Sequence, residues 1–102
     1  MSDTHHEQHR SLTVAELEKY YFQMFLRKDD YDLWQDYMWN ILKKVFEDQN
    51  LQGMSNQEKV REAGRRYKER YLGYPKTDNI VERVARETEE KLIQKLQSEG
   101  LV

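Results

Sequence analysis

The stretch YDLWQDYMWNILKKVFEDQ, residues 31–49, decides how this chain is read. Laid on a helix at 100° per residue, Tyr31, Trp34, Tyr37, Met38, Ile41, Leu42 and Val45 form one broad apolar stripe. Trp39 and Phe46 fall outside it and line up as a second ridge beside Leu42. The apolar arc then spans roughly 200°, where a helix packing on one neighbour needs about 100°. A helix with this pattern must touch more than one neighbour.

The flanking segments read as further helices. Thr13 and Glu16 have the spacing of a capping box, and Leu12 and Leu17 that of a hydrophobic staple. The inward stripe that follows is Val14, Leu17, Tyr21, Met24 and Phe25, with Tyr20, Phe22 and Leu26 at its sides. Arg27-Lys28-Asp29-Asp30 predicts a tight corner before the central helix, since basic residues suit a helix end and aspartates a helix start. The run Asn50-Leu51-Gln52-Gly53 is expected to supply a left-handed stop. Ser55 and Glu58 form a second capping box, opening a helix over residues 56–72 that turns Val60, Ala63, Gly64, Tyr67 and Tyr71 inward. Gly64 in mid-helix predicts close approach of another helix, under a tryptophan of the central one. Gly73-Tyr74-Pro75 ends that helix. Thr77, Asp78 and Asn79 are all competent caps for the last one, whose stripe is Val81, Val84, Ala85, Thr88, Leu92 and Leu96 and which Gly100 closes. Ile80 and Ile93 stand off that stripe and read as exposed.

Together these features predict an all-α fold, a compact bundle of about four helices with short connections over residues 12–102. Residues 1–11 are polar and aperiodic and read as a disordered tail. The chain has no cysteine, no apolar run long enough to span a membrane and no hydrophobic leader, which fits a cytoplasmic protein. Its 17 basic and 19 acidic side chains nearly cancel, whereas a dedicated nucleic-acid binder is usually clearly basic.

No catalytic or cofactor motif stands out. His5, His6 and His9 all lie in the tail, with no folded scaffold to complete a metal site. A di-iron bundle needs Glu-x-x-His pairs facing inward, and a nucleophilic site needs a base beside its nucleophile; neither pattern occurs. The expectation is therefore no enzyme, no cofactor and no metal. Of twelve aromatic residues, nine fall between Tyr20 and Phe46, more than a core of this size readily houses. Trp39, Phe46, Tyr20 and Phe22 are thus the predicted protein interface of a small adaptor, regulator or accessory subunit. Its partner would be another protein or a second copy of the chain, in a homodimer. The alternative is a nucleic-acid-associated protein using the basic helix 56–72. There Arg61, Arg65 and Lys68 flank one edge of the stripe, and Lys59, Arg66 and Arg70 the other. Glu58, Glu62 and Glu69 fill the outward centre between those ridges, and Glu62–Arg66 and Arg65–Glu69 have helical pair spacing.

Ala63-Gly64-Arg65-Arg66-Tyr67-Lys68-Glu69-Arg70-Tyr71, followed by Pro75 and Val81-Glu82-Arg83, resembles a segment of the theta subunit of bacterial replicative DNA polymerase. That subunit is a small helical protein that binds the proofreading exonuclease subunit. The resemblance requires a one-residue gap, leaves residues 12–54 without a counterpart and carries no site residue over.

Overall fold

The structure is a computed structural model and describes residues 10–25, 31–71 and 78–102. Its helices are α1 (Val14–Phe25), α2 (Tyr31–Asp36), a π-helical segment (Tyr37–Leu42), α3 (Lys43–Glu47), α4 (Asn56–Arg70) and α5 (Asp78–Ser98), with a 3-10 turn at Gln49–Leu51. α2, the π segment and α3 follow one another without a break, so the described residues form four helical rods around one core. The corner expected at residues 27–30 and the stop at residues 73–75 lie outside the described residues, as do His5, His6 and His9.

α1 opens on the expected capping box. The Glu16 amide donates to Thr13 Oγ1 and the Thr13 amide to Glu16 Oε1, both at 3.1 Å. Leu12 and Leu17 are both buried. Arg10 donates to Glu16 at 2.7 Å; this pairing and the Thr13 amide hold the Glu16 carboxyl down to about 2. Arg10 and Ser11, which composition assigns to the tail, thus adjoin the folded part. Leu17, Tyr21 and Phe25, four apart, are the buried face of α1.

The central rod departs from a plain α-helix, and its apolar spacing explains why. Its buried residues fall in two strict series of four: Trp34, Met38, Leu42, Phe46 and Tyr37, Ile41, Val45. On an α-helix, residues four apart drift by about 40° per step, so Phe46 would swing about 120° away from Trp34. Between Tyr37 and Leu42 the rod instead closes i→i+5 turns, as in the Lys43 amide bonding to the Met38 carbonyl. Such wider turns advance less per residue and keep both series facing the core. Phe46, predicted to stand outside the stripe, is 5% exposed for this reason. The hydroxyls of Tyr21 and Tyr67 donate to the carbonyls of Trp34 (2.9 Å) and Leu33 (3.0 Å), in the turn that enters the π segment. Phe25 stacks on Trp34 at 4.5 Å and Tyr37 on Tyr67 at 4.6 Å, so the core is built of aromatic pairs between rods.

The end of this rod also differs from expectation. Gly53 is not in a left-handed conformation; α3 stops because Asp48 turns extended (φ −71°, ψ 117°) and its carboxylate accepts from the Asn50 amide at 2.8 Å. The Gln52 side chain then donates to the carbonyls of Asp48 and Phe46.

α4 begins at the predicted capping box: the Glu58 amide donates to Ser55 Oγ at 3.1 Å and the Ser55 amide to Glu58 at 2.9 Å. Val60, Ala63, Gly64 and Tyr67 face inward as expected, while Tyr71 is half-buried. Gly64 lies under Tyr37 rather than under a tryptophan. A methyl group there would meet Tyr37 Oη at 3.6 Å and Ala85 Cβ at 3.9 Å, both ordinary contacts. Packing therefore does not require glycine. Gly64→Ala is expected to stabilise the fold by roughly 1 kcal/mol through helix propensity, measured as a higher denaturation midpoint.

All six residues of the predicted α5 stripe are buried. Ile93, read as exposed, is buried as well, and Ile80 packs partly against the core, because α5 contacts α1 and α2 in addition to α4. Gly100 closes α5 at φ 74°, with the Leu101 amide bonding to Leu96 O (2.8 Å) and the Gly100 amide to Gln97 O (3.1 Å), a Schellman motif.

One polar side chain ties these ends together. Asn56, buried in the first turn of α4, accepts from the Leu12 amide (3.1 Å) and donates to the carbonyls of Leu101 (2.8 Å) and Arg10 (2.9 Å). Nothing in its local sequence marks it for that role.

Candidate interaction surfaces

The four aromatic residues singled out by sequence do not share one face. Phe22 leaves α1 toward the central rod, where its ring lies 5.8 Å from that of Trp39. Trp39 is 37% exposed, Phe22 is half-buried, and Lys43 Nζ sits 5.9 Å above the indole. Tyr20, two residues before Phe22, points toward α5 instead, beneath Lys95 Nζ at 5.3 Å. Phe46 lies in the core. The structure therefore brings together Trp39 and Phe22, with Lys43 at the rim. Among the described residues Tyr31 and Trp39 are the exposed large apolar side chains.

Phe46 has an unexpected companion. Lys59 of α4, placed by sequence at the edge of the apolar stripe, is fully buried. Its ammonium lies 5.3 Å from the Phe46 ring and has no hydrogen-bond partner among the described residues. Burial pushes its pKa below the ordinary 10.5. The unfolded chain then holds this proton more firmly than the folded one. The penalty is complete below the depressed folded pKa and fades as pH rises toward 10.5. Lys59→Met is expected to raise stability at neutral pH by on the order of 1 kcal/mol. It should also flatten the rise of stability with pH below 10 that is expected of the native chain in denaturant titrations. Above pH 10 the trend reverses in both proteins. Burial raises the phenol pKa of Tyr21, Tyr37 and Tyr67, so ionisation of the unfolded chain draws the equilibrium toward it.

The remaining basic residues of α4 split by partner. On one side Arg66 bonds Glu62 at 2.8 Å and reaches Asp48 at 3.6 Å, and Arg70 reaches Asp36 at 3.3 Å. Arg65 bonds Glu62 at 2.7 Å and Glu69 at 3.1 Å, so both pairs expected from helical spacing form. Arg65 and Arg66 hold the Glu62 carboxyl down to about 2. On the other side Arg61, Arg65 and Lys68 line a groove between α4 and α5 of ≈ 240 Å³. Arg86 of α5, which sequence reasoning did not single out, joins them there.

Among the described residues no group of three or more His, Cys, Asp or Glu side chains could hold a metal ion, and no helix is long and apolar enough to cross a membrane. Comparison of the chain with protein-family models, curated proteins and solved structures finds no match, so the local likeness over residues 63–83 stands on those residues alone.

Proposed function

We propose that this chain is a small non-catalytic interaction module of the cytoplasm, an adaptor, regulator or accessory subunit, that docks another protein or a second copy of itself through Trp39 and Phe22. The observation that supports this reading is the indole of Trp39, 37% exposed, with the Phe22 ring tilted against it at 5.8 Å. Exposed tryptophan with an aromatic neighbour and a cationic rim is the composition of interface centres. The indole is also carried by the π segment, a local geometry enriched at functional positions. Tyr20 and Phe46 drop out of the proposed surface, the first because it faces α5 and the second because it is buried.

The variant Trp39→Gln with Phe22→Gln tests the proposal. It is expected to keep a cooperative unfolding transition and to lose association. Sedimentation across a concentration series reads self-association, and cross-linking in the native cell reads a foreign partner. A folded variant that associates as the native chain does would place the interface elsewhere.

The second reading, phosphate contact through Arg61, Arg65 and Lys68, is favoured by one observation: all three line the same groove.

A further inference from the structure

Gly64 poses the problem from which this inference starts. A mid-helix glycine is destabilising. Yet a methyl group at Gly64 would touch its neighbours only at ordinary van der Waals distance, so helix packing does not account for it. The side of α4 on which Gly64 lies opens into the α4–α5 groove, with Gly64 and Ala85 among its lining residues. Against Gly64 lies the hydroxyl of Tyr37, fully buried and without a hydrogen-bond partner among the described residues. A buried hydroxyl left unpaired is costly and calls for an explanation. Only the bare backbone of Gly64 separates it from the groove, which Tyr37 itself does not line, and with no Cβ at Gly64 and a single methyl at Ala85 the groove wall there carries little bulk.

The groove walls are charged to suit an acceptor. Four cations, Arg61, Arg65 and Lys68 from α4 and Arg86 from α5, outnumber the two carboxylates Glu82 and Glu89. Glu89 is loosely engaged by Arg61 at 3.9 Å. Arg65 is oriented by Glu62 and Glu69, whereas Lys68 and Arg86 have no carboxylate partner among the described residues. The volume of ≈ 240 Å³ is below the range of pockets for drug-sized ligands, about 300–1,000 Å³, and suits a small head group.

We propose that the α4–α5 groove is a binding site for a small phosphate group, a free phosphate or a phosphate monoester, held over the bare backbone at Gly64 by Lys68, Arg61 and Arg65 from α4 and by Arg86 from α5. A tetrahedral oxyanion presents acceptors in several directions at once, which matches donors on two walls; a planar carboxylate matches fewer. Arginine and lysine bonds to phosphate are charge-assisted and correspondingly strong. This proposal rests on the second reading above, phosphate contact by α4, and is independent of the Trp39 surface, which involves neither α4 nor α5.

The test is a titration of the isotope-labelled full chain with inorganic phosphate, against sodium chloride at equal ionic strength, followed through the amide signals of Gly64 and Ala85. Saturable shifts with phosphate alone are expected. Lys68→Gln with Arg86→Gln should weaken binding about tenfold or more, as loss of two charge-assisted contacts implies. Gly64→Ala should weaken it, by adding bulk beside the bound group, while the helical spectrum is unchanged. Shifts that track ionic strength only, or affinity untouched by the double variant, would overturn the site. Phosphate bound as tightly by Gly64→Ala as by the native chain would overturn the role given to the bare backbone at Gly64. A single-stranded oligonucleotide that binds with a steep salt dependence, while inorganic phosphate does not, would replace this proposal with nucleic-acid contact.

Discussion

Replacing Trp34 with alanine is expected to cost about 3–5 kcal/mol, against a typical total stability of 5–15 kcal/mol. Trp34 is fully buried, stacks on Phe25 at 4.5 Å and lies 6.3 Å from the ring of Tyr21. Its removal empties the space between α1 and the central rod. The carbonyl that anchors the Tyr21 hydroxyl belongs to the same residue, so collapse of the cavity also disturbs that bond. Small residues do not refill a space of this size, and the surrounding rings are stiff. The measurement is a denaturant titration at constant slope. A midpoint shift below about 1 kcal/mol would mean that Trp34 is not part of a tightly packed core.

Asn56→Leu should cost nearly as much, roughly 3 kcal/mol or more, for a different physical reason. The substitution conserves bulk and removes three hydrogen bonds at once, to the Leu12 amide and to the carbonyls of Leu101 and Arg10. Unmade bonds of buried main-chain groups cost about 1–3 kcal/mol each, and the segments before α1 and after α5 would lose their common anchor on α4. Asn56→Asp separates the contributions: it keeps the acceptor for the Leu12 amide and loses both donors. Hydrogen exchange at Leu12 should be greatly accelerated in Asn56→Leu. Unchanged exchange there would show that the Asn56 side chain does not hold this segment.

The helical bundle was legible in the sequence wherever a local rule governed. Both capping boxes, the closure at Gly100, the α5 stripe and the burial of Trp34, Ile41 and Tyr67 followed from spacing alone. The misreadings share a cause: each depends on how one rod meets another. Phe46 was placed outside the stripe because a uniform 100° per residue was applied to a segment that winds more loosely. The sustained spacing of four, from Trp34 to Phe46, was the available signal for that. Ile93 is covered because α5 touches α1 and α2 besides α4, which no single helical wheel displays. Asn56 joins groups 44, 45 and 46 positions distant in sequence, and no periodicity reports such a contact. For the groove, the α4 edge of Arg61, Arg65 and Lys68 was readable, but Arg86 enters only once α4 and α5 are assembled.

The central rod carries both tryptophans of the chain, one sealed in the core and one at the surface. Their indoles consequently emit from different surroundings. Trp34 fluoresces from an apolar cage beside Tyr21 and Phe25, shifting to longer wavelength only when that cage opens. Trp39 fluoresces from the solvent edge, open to collisional quenchers and to anything that settles on its face. The unlabelled molecule thus contains two optical reporters on one helix, and single-tryptophan versions of it distinguish loss of the fold from occupation of the surface.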